Sequence, residues 1–204
     1  MLEATTRTIP DPSRRGALAA GAWLALGVSL SLSGVLRHTP QLGFAFVAAS
    51  VVGWSLAYAQ RGAVRAWADA LPMRVLVALH IIRLPIGAVF LWEASRGQLP
   101  QLFADRAGWG DIAVGAAAIA VTLAAAHRPR VVRAFALVGL VDILIAVGTG
   151  AYLTFRAHDP LFTGAIARLP YPLLPFVIVP AVIITHLLML ARGGSRAASD
   201  PAAR

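Results

Sequence analysis

The chain has 204 residues, of which 58% are hydrophobic and 13% charged, and its mean hydropathy is +0.73. A water-soluble domain carries about 25% charged residues, so this chain has too little polar surface to cover a soluble globule, and we expect lipid around it. It has no cysteine, and all 18 of its Lys and Arg residues are arginine, which excludes disulfides, thiol catalysis and lysine Schiff bases.

Six apolar runs are long enough to cross a bilayer, since about 20 apolar residues span its hydrocarbon core. In chain order they are Gly16–Leu36, Leu42–Gln60, Met73–Glu93, Asp111–His127, Ala134–Phe155 and Pro170–Ala191. The sequence therefore predicts an all-α polytopic membrane protein, a six-transmembrane-helix bundle formed by residues 16–192. Tails at residues 1–15 and 193–204, rich in Ala, Ser, Pro and Arg, are expected to be poorly ordered.

The arginines near the ends of these runs predict the orientation of the bundle. Twelve lie on the side of the two chain ends, and five lie on the other side: Arg37, Arg96, Arg106, Arg156 and Arg168. We therefore expect both termini to be cytoplasmic, in the inner membrane of a bacterium. The net charge of +9 then serves orientation, and no nucleic-acid partner is predicted. On the same side, Val64–Ala68 is a candidate for a short surface helix, with an ordinary loop as the alternative.

Four ionisable side chains lie inside the third, fifth and sixth runs: His80, Arg83, Asp142 and His186. Counted from the cytoplasmic arginine of each helix, at about 1.5 Å per residue, all four lie roughly 9–13 Å deep. A charge in the bilayer costs roughly 2.5–3.5 kcal/mol, so each needs a partner or a function. We expect Arg83 and Asp142 to face each other across the bundle. One interpretation of that pair is a helix–helix staple, an ion pair that holds two helices together and has no chemical role.

The same four residues form our candidate ligand- or proton-binding site. Pro85 and Pro180 free backbone carbonyls close to them, which a wet cavity can satisfy and lipid cannot. We therefore expect the four to line one cytoplasm-facing cavity, with His80 neutral beside Arg83. A dry bundle in which each histidine bonds one backbone carbonyl is the alternative. A further alternative is haem b, with His80 and His186 as its axial ligands.

Asp111 follows Gly108-Trp109-Gly110 at the predicted start of the fourth helix. Its carboxylate suits the free N–H groups and the positive dipole of a helix N-terminus, so we expect a helix cap on the outer side. A functional site at the outer mouth is the alternative.

Several motifs in the second half of the chain resemble a known family. They are Leu99-Pro100, Phe103-Ala104, Ala107-Gly108-Trp109-Gly110-Asp111-Ile112 and Gly115, with Arg83, Gly87, Phe90-Leu91, Gly139-Leu140-Val141-Asp142, Pro180 and His186. Together they are similar to a family of uncharacterised bacterial six-helix membrane proteins, from about Arg74 to Leu190. The resemblance implies that architecture and no activity.

Three functions fit the sequence. The first is a small permease, proton-coupled, whose partners are the bilayer and a small molecule or ion. The second is a redox subunit that holds haem b, and the third is a structural or accessory subunit. An enzyme is less expected, because His-Glu-x-x-His and Gly-x-Ser-x-Gly are absent. No metal site is predicted, no cofactor other than haem is considered, and the sequence leaves oligomerisation open.

Overall fold

The structure is a computed structural model that describes residues 12–198. Its helices are α1 Pro12–Leu32, α2 Gln41–Ala59, α3 Ala63–Ala70, α4 Met73–Ser95, α5 Gln101–Ala124, α6 Pro129–Phe155, α7 Pro160–Ile166, and α8, which joins Leu174–Ile178 to Val179–Ala198. All but α3 and α7 are long and apolar enough to cross a membrane. The predicted all-α architecture with six such helices is confirmed, and α3 contains the predicted short helix.

Several predicted boundaries were wrong. The fourth membrane-length helix, α5, begins at Gln101 rather than at Asp111, and α7 lies in a segment expected to be a loop. The sixth begins at Leu174, after a turn that contains Pro170 and Pro172. Of the two predicted tails, residues 12–15 and 193–198 are helical, while residues 1–11 and 199–204 lie outside the described part.

The bundle has two ends that differ in their connections. At the terminal end lie the start of α1, α3, residues 125–128 and Arg192, whose Nη1 donates to the Leu71 carbonyl at 2.8 Å. At the distal end lie residues 33–40, residues 96–100 and the α6–α8 connection. There Arg168 bridges to Glu93 at 2.9 Å. These polar contacts join neighbouring elements at both ends of the bundle.

Helix α1 is peripheral to the other membrane-length helices. It packs on α3 and on the start of α8, and its Trp23 Nε1 donates to Ser50 Oγ of α2 at 3.0 Å. The buried core lies among α4, α5, α6 and α8. In its distal half it contains Phe90, Phe103 and Phe162, and in its terminal half Phe135 and Met189.

Three membrane-length helices depart from α-helical geometry. Residues Leu79–Ile82 of α4 form a 3₁₀ stretch, and Ala104–Gly108 of α5 and Leu174–Ile178 of α8 form π-helical stretches. Two of these lie beside prolines. Pro85 and Pro180 lack an N–H for the carbonyls of Ile81 and Phe176, so the regular hydrogen-bond ladder cannot continue there. The 3₁₀ stretch of α4 contains His80 and ends beside Arg83, and the stretch of α5 ends shortly before Asp111.

Candidate functional site

Arg83 is the centre of a buried ion-pair cluster that joins α4, α5 and α6. Its Nε donates to Asp111 Oδ1 at 2.6 Å, its Nη2 donates to Asp142 Oδ2, and its Nη1 donates to the Gly139 carbonyl at 3.3 Å. The side chain of Arg83 is 2% exposed, that of Asp111 7% and that of Asp142 17%. The predicted pairing of Arg83 with Asp142 is therefore confirmed, and Asp111 is a second partner.

The expected role of Asp111 as a helix cap was wrong. Helix α5 begins at Gln101, ten residues earlier, so Asp111 lies about 15 Å along the helix, inside the bundle. Asp105 and Arg106 made the preceding segment look like a loop, but both are exposed on the surface of the helix. The available signal for a helix was the set of apolar residues around them, which form one buried face of this first part of α5.

Two glycines allow the close approaches on which the site depends. A Cβ at Gly110 of α5 would overlap Asp142 Oδ1, so this glycine lets the carboxylate of α6 reach across the helix. A Cβ at Gly139 of α6 would lie 2.6 Å from Nε2 of His186. Gly139 therefore connects two parts of the site, since its carbonyl binds Arg83 and its open face receives the His186 ring.

His80 and His186 form a second buried pair, on the terminal side of Arg83. Both are 0% exposed, and their ring centroids are 4.0 Å apart with an interplanar angle of 30°. His80 Nε2 lies 3.1 Å from Thr185 Oγ1, and the Phe135 ring packs against both imidazoles. Within the described residues, His80 Nδ1 and both ring nitrogens of His186 have no hydrogen-bond partner. The dry-bundle alternative required each histidine to bond one backbone carbonyl, and neither histidine does so within the described residues.

The two histidines do not fit haem in this arrangement. Axial ligation by both places the iron between two imidazole nitrogens and the porphyrin plane between the two rings. His80 and His186 are in direct ring contact, and Phe135 closes the space beside them. The pair therefore has no room for a macrocycle.

A cavity of about 90 Å³ lies on the distal side of Arg83. Arg83 and Asp111 form its floor, and its other lining residues are apolar. The walls come from α2, α4, α5, α6, α7 and α8, and include Phe90, Phe103 and Phe162. It extends to Pro40, which also lines a neighbouring groove of about 330 Å³ at the distal end. The cavity thus lies between the buried cluster and the distal end of the bundle.

The structure does not bring the four predicted residues into one cavity. Arg83 lines the cavity, while His80, Asp142 and His186 are not part of its wall. Its direction is also opposite to the prediction, because it lies on the side of Arg83 away from the end at which α1 begins and α8 ends. The reason lies in packing: Phe135, Met189 and other apolar side chains fill the space around the histidines.

Two of the three irregular helical stretches line this same cavity. Ala107 of the π-helical stretch in α5 lines it, as do Leu174 and Ile178 of the stretch in α8. The 3₁₀ stretch of α4 ends immediately before Arg83. Inserted π turns occur frequently at functional sites, where they reposition side chains at the expense of regular hydrogen bonding. Two π-helical stretches in the wall of one space are evidence that the space itself matters.

The distal rim of the bundle, next to Phe90 of the cavity wall, carries polar contacts. Tyr171 stacks on Phe90 with ring centroids 6.3 Å apart, and Arg168 binds both Glu93 and, at 3.2 Å, Gln98 Oε1. Burial, reinforced by the nearby Glu93 carboxylate, raises the pKa of the Tyr171 hydroxyl. This hydroxyl is thus neutral at physiological pH, and the rim charges are those of the ion pair.

Comparison with known proteins assigns a family. Residues 39–192 match the family described as Domain of unknown function (DUF8737), which is more than half of the chain, so the chain belongs to that family. This confirms the resemblance to an uncharacterised family, and the match includes α2, which the motifs did not cover. Neither a curated protein nor a solved structure matches.

Proposed function

We propose that this member of the DUF8737 family is a small permease, and that proton binding at Asp111 and Asp142 is coupled to passage of its solute. The observation that carries the proposal is the cavity between the distal end and a buried ion-pair cluster, two of whose side chains line it. In this proposal the terminal end is cytoplasmic, in agreement with the arginine bias, and the protein resides in a bacterial inner membrane.

The charge balance of the cluster supports coupling to a proton. One guanidinium faces two carboxyl groups, so the cluster carries one net negative charge when both carboxyls are ionised. An unbalanced charge within the bilayer costs roughly 2.5–3.5 kcal/mol. One proton shared by Asp111 and Asp142 removes that charge. Proton binding therefore changes the electrostatic energy of the ion-pair cluster, which separates the cavity from the terminal half.

The packing supports a pathway that is closed on one side. The terminal half is filled around His80 and His186, while the distal half contains the cavity. Transporters place their sites at broken helices near the middle of the membrane and open them to one side at a time. The 3₁₀ stretch of α4 beside Arg83 is an irregularity at that depth, and the π-helical stretches of α5 and α8 lie nearer the distal end. A rearrangement that opens the packing around His80 and His186 would complete the pathway.

A structural or accessory subunit is less well supported. A staple between helices needs one arginine and one carboxylate, and this bundle has a second carboxylate. It also has a cavity and three buried imidazole nitrogens without partners in its described part, each of which costs stability. A protein selected only for helix packing has no need for these features.

Cysteine accessibility tests the proposal, because the chain has no cysteine and each variant carries a single thiol. Ala146→Cys places the thiol in the cavity, and Ala136→Cys places it in the packed terminal half, on the same helix. Vesicles of known orientation are treated with a membrane-impermeant methanethiosulfonate. We expect Ala146→Cys to react only from the outer side at neutral pH. Acidification of the outer side should make Ala136→Cys reactive from the cytoplasmic side.

Leu144→Cys is the matched control, because Leu144 faces outward from the same helix and is 53% exposed on the bundle surface. Its thiol should remain unreactive to the charged reagent at either pH, since lipid excludes the reagent. If Ala136→Cys never reacts from the cytoplasmic side, at any pH, the permease proposal is wrong and the accessory subunit becomes the better interpretation.

A further inference from the structure

We infer that the solute is a small hydrophobic organic cation, which exchanges with a proton at the Asp111–Asp142 pair. The inference rests on the proposed function and assigns the class of its substrate. It depends on three properties of the cavity: the charge of its floor, the chemistry of its walls and its volume.

The floor of the cavity favours a positive charge. Arg83 donates from Nε, Nη1 and Nη2 to acceptors of the protein, so three of the five N–H groups of its guanidinium are already in use. An anion beside it would add a second negative charge to a cluster that already has one carboxylate in excess, which is unfavourable in a buried site. A cation instead meets Asp111 in the cavity wall, within a cluster that has one carboxylate in excess. Cation binding and proton binding thus neutralise the same charge and compete.

The walls exclude a bare metal ion and fit an organic one. Metal cations such as Na⁺ and Ca²⁺ need several oxygen ligands, whereas Asp111 supplies the wall's single carboxylate among the described residues. The remaining wall is aliphatic or aromatic. Phe103 is at its centre, with ring centroids 5.3 Å from Phe90 and 4.9 Å from Phe162. Aromatic faces attract organic ammonium groups, most strongly where water is excluded.

The volume limits the solute to a few heavy atoms. A cavity of about 90 Å³ is smaller than an engineered cavity of about 150 Å³ that binds benzene. Short branched alkylammonium ions are of a suitable size. Isobutylammonium, isobutanol and isobutyrate share one branched carbon skeleton and carry charges of +1, 0 and −1. They therefore test the charge preference at nearly constant shape.

The other charged groups around the cavity leave this preference in place. Arg83 of α4, Asp111 of α5 and Asp142 of α6 form the cluster, and α2, α7 and α8 contribute only apolar side chains to the wall. At the distal rim Arg168 is paired with Glu93, and Arg37 of the neighbouring groove is exposed. Solvent and salt screen exposed charges of this kind. His80 and His186 lie beyond Arg83, on the other side of the cluster.

The test measures how each isobutyl compound protects Ala146→Cys of the purified protein from iodoacetamide, a thiol reagent with as few heavy atoms as the isobutyl compounds. Each rate is divided by the ligand-free rate at the same pH, and Leu144→Cys corrects for partition into the detergent. We expect isobutylammonium to protect at a concentration at least tenfold lower than isobutanol, and isobutyrate not to protect. Where the proton competes, lowering the pH by one unit should raise the half-protecting concentration of isobutylammonium up to tenfold, and leave that of isobutanol unchanged.

Variants locate the effect at the cluster. Asp111→Asn should abolish the preference for the cation and its pH dependence, while isobutanol still protects. Asp105→Asn makes the same change at an exposed position of α5 and should leave both properties intact. If the protein with Asp111→Asn fails to fold, the pH dependence of protection in Ala146→Cys with Asp111 unchanged decides whether the cation and the proton compete.

The inference is overturned if isobutanol protects as well as isobutylammonium, if isobutyrate protects best, or if no member of the series protects. Its failure is separate from failure of the permease proposal. The labelling of Ala136→Cys from the cytoplasmic side tests passage, whereas the isobutyl series tests the charge of the ligand.

Discussion

The distal and terminal halves of the bundle share their long helices, and buried polar side chains lie where the two halves meet. The halves differ in packing, because the distal half contains a cavity and the terminal half is filled. On the distal side of Arg83, phenylalanine rings surround a cavity with a charged floor. On the terminal side, two histidines are enclosed by apolar side chains and their rings touch. Buried polar residues therefore do not by themselves mark open space. The cavity lies where two π-helical stretches and phenylalanine rings at steep angles form the wall.

The largest effect is expected at the boundary between the halves. Arg83→Met leaves Asp111 and Asp142 buried without their cation, and should lower the free energy of unfolding by about 3–5 kcal/mol. Adding Asp111→Asn and Asp142→Asn should recover part of that loss. Unfolding in mixed micelles of dodecyl sulfate and a mild detergent measures both. Arg65→Met is the control, because the exposed Arg65–Asp69 pair should contribute less than about 1 kcal/mol.

A smaller effect on the free energy of unfolding should distinguish the two halves, because only the distal half has space for a larger side chain. Ala136 is 0% exposed in the packed half, so Ala136→Leu should lower the free energy of unfolding by about 1–3 kcal/mol through overpacking. Ala146 lines the cavity ten residues further along α6, and Ala146→Leu should cost less than about 1 kcal/mol, because the new side chain has space. The same micelle titration applies. Equal costs at the two positions would contradict the contrast in packing.

The smallest effect is expected within the histidine pair. His186→Leu removes two ring nitrogens without partners, so the free energy of unfolding should stay unchanged or rise by about 1 kcal/mol. His80→Leu breaks the hydrogen bond with Thr185 and should lower it by about 1 kcal/mol. A marked loss of stability for His186→Leu would mean that its nitrogens are satisfied, for instance by buried water.

The membrane-length helices could be predicted because hydropathy and length are local properties of the chain. The Arg83–Asp142 contact could also be predicted, since the cost of a buried charge demands a partner at equal depth. Asp111 was misplaced because Asp105 and Arg106 interrupt the apolar run, and only the burial of their neighbours reveals a helix. The equal depth of His80 and His186 was informative too, since the rings do meet. Whether a cavity or packed side chains surround them depends on ring orientations, which hydropathy does not encode.

The π-helical stretch at Ala104–Gly108 has a consequence for the length of the chain. A π turn bonds residue i to i+5 and so holds about one residue more than an α-helical turn. Removal of one residue within 104–108 would therefore convert the stretch into regular α-helix without breaking α5. Asp111 would keep its register with Arg83, while Phe103 would rotate by about 100° and leave the cavity wall. Natural sequences one residue shorter in this stretch would thus retain the ion-pair cluster but have a cavity of different shape.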